Sequence, residues 1–85
     1  MQAVMTLDDA LLRILACPID KRELLYFADE AVLYNPRLRR AYRIENGIPV
    51  LLAGRAEPID EKEHERLAMR ATCGDAVVTL GGQAT

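Results

Sequence analysis

The chain has 85 residues and a mass of 9.5 kDa, which leaves room for one domain. Its apolar fraction of 51% and charged fraction of 28% are those of a folded globular chain. Eleven Lys plus Arg against thirteen Asp plus Glu give a net charge of -2. No whole-molecule field therefore draws it to phosphate backbones or anionic lipid, and a nucleic-acid role would need a local patch.

The sequence contains no Ser and a single His, so a Ser-His-Asp arrangement cannot be built and acid–base chemistry would fall to His64 or to carboxylates. Cys17 and Cys73 stand far apart in sequence, which is no disulfide framework, and two reduced thiols are expected. No N-terminal leader pattern or bilayer-length apolar run is visible. A cytoplasmic protein is expected, with translation starting at Met1 or at Met5.

Thr6 and Asp9 form a capping-box pattern that predicts a helix from Leu7. Leu7, Ala10, Leu11, Ile14 and Leu15 recur at helical spacing and mark its apolar face. Pro18 ends it.

From Glu23 the pattern shortens to β-type runs. Glu23–Phe27 and Ala31–Tyr34, joined by Ala28-Asp29-Glu30, predict a hairpin. After Asn35-Pro36 and an arginine-rich connection, Ala41–Glu45 alternates as a half-buried strand. Asn46-Gly47 supplies the positive φ of a tight turn, and Ile48–Leu52 predicts a further strand that Pro49 confines to an edge or a bulge.

Gly54–Pro58 is expected to be a linker. Asp60 and Glu63 suggest a second cap before a helix over Glu61–Ala71, whose thin stripe of His64, Leu67, Ala68 and Ala71 predicts weak docking. Thr72–Thr85 shows no sustained pattern and is expected to be disordered.

Two motifs in this layout, Leu11-Leu12-Arg13-Ile14-Leu15-Ala16-Cys17-Pro18 and Asn46-Gly47-Ile48-Pro49-Val50-Leu51-Leu52, together resemble the Trm112-like family of small methyltransferase activator subunits. The family also has short bacterial members of unassigned role. The resemblance covers Leu7 to Leu52. In zinc-containing relatives it implies four cysteines in two Cys-x-x-Cys pairs that close a structural zinc site. Here only Cys17 remains, with Asp20 at its partner position, and a count back from Gly47 puts the second pair near Asn35 and Leu38. Loss of the metal is therefore expected. A rebuilt site from Cys17, Asp20, His64 and Cys73 is chemically permissible but is not expected, because two of its ligands would lie on a marginal helix and in a tail.

By residue match the resemblance also implies a partner-binding role for Ile48, Pro49, Val50 and Leu51, the strand whose relatives pair with the methyltransferase sheet. The alternative is a core strand, and both can hold, since successive side chains face opposite ways. Arg37, Arg39, Arg40 and Arg43 could grip phosphates, with Tyr34 and Tyr42 near enough to stack on bases. Their competing reading is a solvated tip balanced by Glu57, Asp60, Glu61, Glu63 and Glu65, and direct nucleic-acid binding is not expected. Cys17 at a helix C-terminus is not expected to be a nucleophile, and His64 is read as a surface imidazole.

The expected fold is α+β: an N-terminal helix packed on a small antiparallel sheet of about four strands, zinc-ribbon-like without the metal, with a weak C-terminal helix. Residues 1–56 would be the domain, 57–71 a helical extension and 72–85 the disordered tail. The expected function is that of a non-enzymatic binding partner, without cofactor or metal, that activates or stabilises a methyltransferase by sheet-edge pairing. A self-associating homodimer and an RNA-binding accessory protein are the alternatives.

Overall fold

The computed structural model describes residues 9–80. In chain order it has helix α1 (Asp9–Leu12), strand β1 (Leu25–Phe27), a 3-10 turn (Ala28–Glu30), β2 (Val32–Asn35), β3 (Arg40–Glu45) and β4 (Ile48–Pro49). A second 3-10 turn (Ala53–Arg55), β5 (Glu57–Pro58), helix α2 (Glu61–Thr72) and β6 (Val77–Val78) follow. The strands form one antiparallel sheet of order β4-β3-β2-β1-β6, and β5 pairs with the outer side of β3 beside β4.

The alternation of the central strands is the reason for this layering. Leu24, Tyr26, Leu33, Tyr42 and Ile44 turn to one face, where they pack with Leu12, Leu15 and Cys17. Phe27, Tyr34 and Ala41 turn to the other and pack with Leu67 of α2. Successive residues of a strand point to opposite faces, and here both faces are apolar, so the sheet needs cover on each side.

The N-terminal helix ends earlier than its apolar spacing predicts. Its predicted start at Thr6 and Leu7 lies outside the described residues. It ends at Leu12, Ile14 stands 71% exposed instead of facing the core, and Leu12 takes a buried place with Leu15. The Leu12 carbonyl, freed at the helix end, accepts the Leu80 amide at 3.1 Å, which answers the need of a terminal carbonyl for a partner.

Two segments without a sequence pattern carry strands. Glu57–Pro58, in the predicted linker, pairs with Arg40–Ala41 of β3, so the sheet crosses the boundary expected at residue 56. Val77–Val78, in the predicted disordered tail, pairs with Leu25–Tyr26 of β1. Thr79 is fully buried: its amide reaches the Leu24 carbonyl at 2.9 Å and its hydroxyl accepts the Leu24 amide at 2.8 Å. Residues 81–85 of that tail lie outside the described residues. A two-residue strand is too short to show alternation, which is why neither was visible beforehand.

Helix α2 begins where its cap predicts: the Asp60 side chain accepts the Glu63 amide at 2.9 Å. Leu67 is its one buried residue, at 2% exposure. Ala71 packs partly buried against the same cluster, and ion pairs add to the attachment. Glu30, in the 3-10 turn, holds Arg66 through both oxygens (2.7 and 2.8 Å) and also binds Arg70. Arg70 in turn reaches Asp29 at 3.0 Å and lies 5.3 Å from the centre of the Phe27 ring.

The hairpin turns use positive φ. Asn46 (54°) and Gly47 (77°) make the β3–β4 turn, the pairing that a two-residue hairpin favours. Ala31 closes the 3-10 turn at φ 53°, a conformation that costs an L residue with a Cβ about 1 kcal/mol. Ala31→Gly should therefore raise stability by about 0.5–1 kcal/mol in thermal melts, and an unchanged or lowered midpoint would contradict this.

Arg66, followed by Arg70, pulls the Glu30 carboxyl down from 4.5 to about 2. A depressed carboxyl contributes stability that is complete above its unfolded pKa and is lost as pH falls through the folded value. The Glu30 clamp should weaken between about pH 4.5 and 2. Glu30→Gln should cost about 1–2 kcal/mol at pH 7 and nothing further at pH 2, measured by melts across that window.

Candidate partner-binding edge and the cluster at Asp20

Strand β4 forms one end of the sheet. Glu45 lies opposite Ile48 and Ile44 opposite Pro49, and the Val50 amide donates to the Arg43 carbonyl at 3.0 Å. In an antiparallel pair successive residues direct their backbone groups alternately toward and away from the neighbour. Ile48 and Val50 spend theirs on β3, and Pro49 turns outward with a carbonyl and no N–H. The edge is thus half blunted for strand addition.

Side chains at this edge divide by face. Leu51 packs against the core residues around Tyr42 and Ile44, while Val50 and Pro49 are half-buried. Ile48 is 65% exposed and Leu52, just beyond, 60% exposed. Of the four residues matched to a partner-binding role, Ile48 offers the most free apolar surface, and Leu51 lies partly buried against the core.

The four arginines do not form one open patch. Arg37 holds Asp20 at 2.8 Å and the Glu23 carbonyl at 2.8 Å. Arg39 pairs with Glu61, and Arg43 pairs with Glu57 at 2.9 Å. Arg40 bonds the Leu38 and Arg39 carbonyls at 3.4 and 3.3 Å. Three guanidiniums thus already face carboxylates that a phosphate would have to displace.

Arg37 belongs to a cluster that joins the loop after Cys17 to the β2–β3 connection. Asp20 accepts from Arg37 with both oxygens, from the Asn35 amide group at 3.2 Å and from the Arg22 backbone at 3.2 Å. The Arg37 guanidinium, foremost, holds the Asp20 carboxyl far below the usual carboxylate range. Asn35, fully buried, accepts the Arg37 and Leu38 amides on its side-chain oxygen at 2.9 and 3.2 Å. Cys17, also fully buried, receives the Ile19 amide at 3.4 Å and lies 3.1 Å from the Tyr42 hydroxyl. Burial, then this thiol contact, pushes the Tyr42 phenol well above its ordinary value.

The structural zinc of the resembling proteins does not fit this chemistry. Zinc takes thiolate, imidazole or carboxylate ligands, and of the four counted positions only Cys17 and Asp20 offer such groups. Both oxygens of Asp20 are already held by a guanidinium, whose positive charge opposes a cation. His64 and Cys73 lie elsewhere: His64 Nδ1 is 2.6 Å from the Tyr34 hydroxyl, and Cys73 caps α2. No group of three His, Cys, Asp or Glu among the described residues could hold a metal ion.

The Tyr34–His64 contact is a correction to the reading of His64 as a plain surface imidazole. It joins α2 to the sheet through a buried tyrosine whose phenol is raised by burial. The signal was present: His64 sits three residues before Leu67 on the stripe that faces the sheet. Among the described residues no helix is long and apolar enough to cross a membrane.

Removal of the charge at the centre of the cluster should loosen both loops. Asp20→Ala should lower stability by about 1–3 kcal/mol. A chelator should leave the wild-type melting temperature unchanged, and a chelator-sensitive midpoint would contradict the account of this cluster.

Comparison with known proteins places these features. The sequence model of the family described as Trm112p-like protein matches residues 8–47. A UPF0434 protein of Acidovorax sp. strain JS42 is 38% identical over 60 residues, which are 71% of this chain and 100% of that protein. A Tetraacyldisaccharide 4'-kinase of Verminephrobacter eiseniae strain EF01-2 is also 38% identical over 60 residues, but these make up 14% of its length. The solution NMR structure of a protein described as Uncharacterized BCR is 52% identical, with a TM-score of 0.56 over 64% of this chain and 88% of that one. With both motifs, the antiparallel sheet and these relatives in agreement, the chain belongs to the Trm112p-like family, among its UPF0434 proteins.

Proposed function

We propose that the chain is a small non-enzymatic binding partner that acts in the cytoplasm by docking on an enzyme, a methyltransferase by the family resemblance. Ile48 and Leu52 form the contact, with Pro49 and Val50 as the edge between them. The observation that carries this reading is the exposure of Ile48 and Leu52, two large apolar side chains, beside an edge strand. The proline limits ladder formation, so side-chain burial and the outward Pro49 carbonyl would supply the affinity, and a long shared sheet would not.

The Verminephrobacter relative supports the enzyme-linked part of the proposal. There a segment of this family forms a minor part of a protein named as a kinase, so a module of this kind is compatible with permanent attachment to an enzyme. Docking on the native state of an enzyme would stabilise it by mass action. In fold terms we read the domain as zinc-ribbon-like, with the Asp20–Arg37–Asn35 cluster in the place of the metal.

Because Ile48 is exposed, Ile48→Lys should change stability by less than about 0.5 kcal/mol and preserve the circular dichroism spectrum. It should also abolish stoichiometric recovery of an enzyme with the tagged chain, as identified by mass spectrometry. Leu51→Lys should unfold the domain instead. Recovery unchanged by Ile48→Lys, or a chain recovered only as a homodimer, would refute the proposal.

A further inference from the structure

The two ends of the sheet are finished differently. At β4 the outward residue is Pro49, which blunts the edge. At the other end β6 lies outermost, beside β1. Its two valines favour strand pairing, and it carries neither the proline nor the lysine with which exposed edges are commonly protected. The Thr79 amide donates to the Leu24 carbonyl of the β1 side. By the alternation of an antiparallel pair, the N–H and C=O of Val78 therefore point away from β1, where they meet no partner among the described residues. The next outward amide, that of Leu80, is spent on the Leu12 carbonyl at 3.1 Å, so the open stretch is centred on Val78.

The side chains at this edge are apolar and its two ends carry opposite charge. Val77, Val78 and Leu80 are each about half exposed, and with Leu12 and Arg13 they line an open groove of about 160 Å³. Arg13 lies at the Leu80 end, exposed and without an ion pair among the described residues. Asp75 stands at the other end, one residue before Ala76. It is also about half exposed and holds Arg70 through one oxygen at 3.3 Å, which leaves its second oxygen open to another donor.

We infer that the β6 edge is a surface for a second copy of this chain, the two copies pairing antiparallel through β6 about a two-fold axis at Val78. A residue that turns both backbone groups outward meets its own copy across such an axis and exchanges two N–H···O bonds with it. The same axis sets Ala76 of one copy opposite Leu80 of the other, so the Asp75 end of each copy meets the Arg13 end of its partner. The opposite charges are thus matched twice by the symmetry, which makes a second copy the occupant that the edge specifies. Burial of Val77, Val78 and Leu80 from both copies supplies the affinity, and the exposed ion pairs fix the direction of pairing. The inference uses no residue of the β4 proposal, and because β4 and β6 end the sheet on opposite sides, both β4 edges of the dimer stay free.

Sedimentation velocity on the full chain, from about 10 µM to about 1 mM, tests it. The wild type should approach twice 9.5 kDa as concentration rises. Val78→Lys should keep its circular dichroism spectrum and weaken the dimer about tenfold or more. Arg13→Glu and Asp75→Arg should each weaken it by about threefold or more, and an equimolar mixture of the two should recover wild-type affinity, because both contacts of the mixed dimer then oppose unlike charges. In hydrogen exchange on the wild type, the Val78 amide should gain about tenfold protection between dilute and concentrated samples. These last two results need no variant at Val78, so they decide the matter even if Val78→Lys fails to fold. A monomer throughout the range would overturn the inference. So would a mixture that associates no better than its components, or a dimer in which exchange at Val78 is independent of concentration.

Discussion

A sheet that is apolar on both faces must be covered twice, and in a chain of this length the two covers can only be short. This constraint organises the molecule. The alternation in β1, β2 and β3 sends Tyr26, Leu33 and Tyr42 one way and Phe27, Tyr34 and Ala41 the other. The segment around Leu12, Leu15 and Cys17 closes the first face and α2 closes the second. Neither cover is large, so polar contacts with definite geometry fix their positions: Cys17 to Tyr42 on one side, Tyr34 to His64 on the other. Each central tyrosine supplies ring area to the core and a hydroxyl to the covering segment.

The cluster at Asp20 shows how a loop junction can be held without a metal. A tetrahedral zinc site ties two loops by bonds from four ligands. Here one carboxylate, one amide and one guanidinium tie the loop after Cys17 to the connection after β2, and each hydrogen-bonding group at the centre is satisfied by its neighbours. The junction rests on charge-assisted hydrogen bonds. Arg37 is thereby committed to the fold, which removes one of the four cations that could otherwise have formed a phosphate-binding tip.

The central strands and their turns were legible because their signals are local: alternation over four to six residues, and Asn46-Gly47. The substitutions at the metal positions were equally plain. The cluster that these positions form was not, because the bond between Asp20 and Arg37 spans 17 residues and no spacing rule announces it. The extent of α1 was misread since Ile14 satisfies a helical stripe that the chain leaves after Leu12, and the Leu80 amide that caps this end comes from the far end of the sequence. Strands β5 and β6 are set by their neighbours' open edges, so composition alone gave a linker and a tail. At β4 the sequence showed a proline in a strand, and only the register shows that this proline faces outward and blunts the edge.

The account's central functional claim is that the edge at Ile48 and Leu52 meets an enzyme. Site-specific photocrosslinking in the native cell tests it most directly, with a photoreactive residue placed at Ile48, at Leu52 and, as control, at exposed Met69 on α2. The account predicts one enzyme adduct, shared by positions 48 and 52 and absent from 69. Adducts of the chain with itself at 48 and 52, or an enzyme adduct at 69 alone, would contradict it.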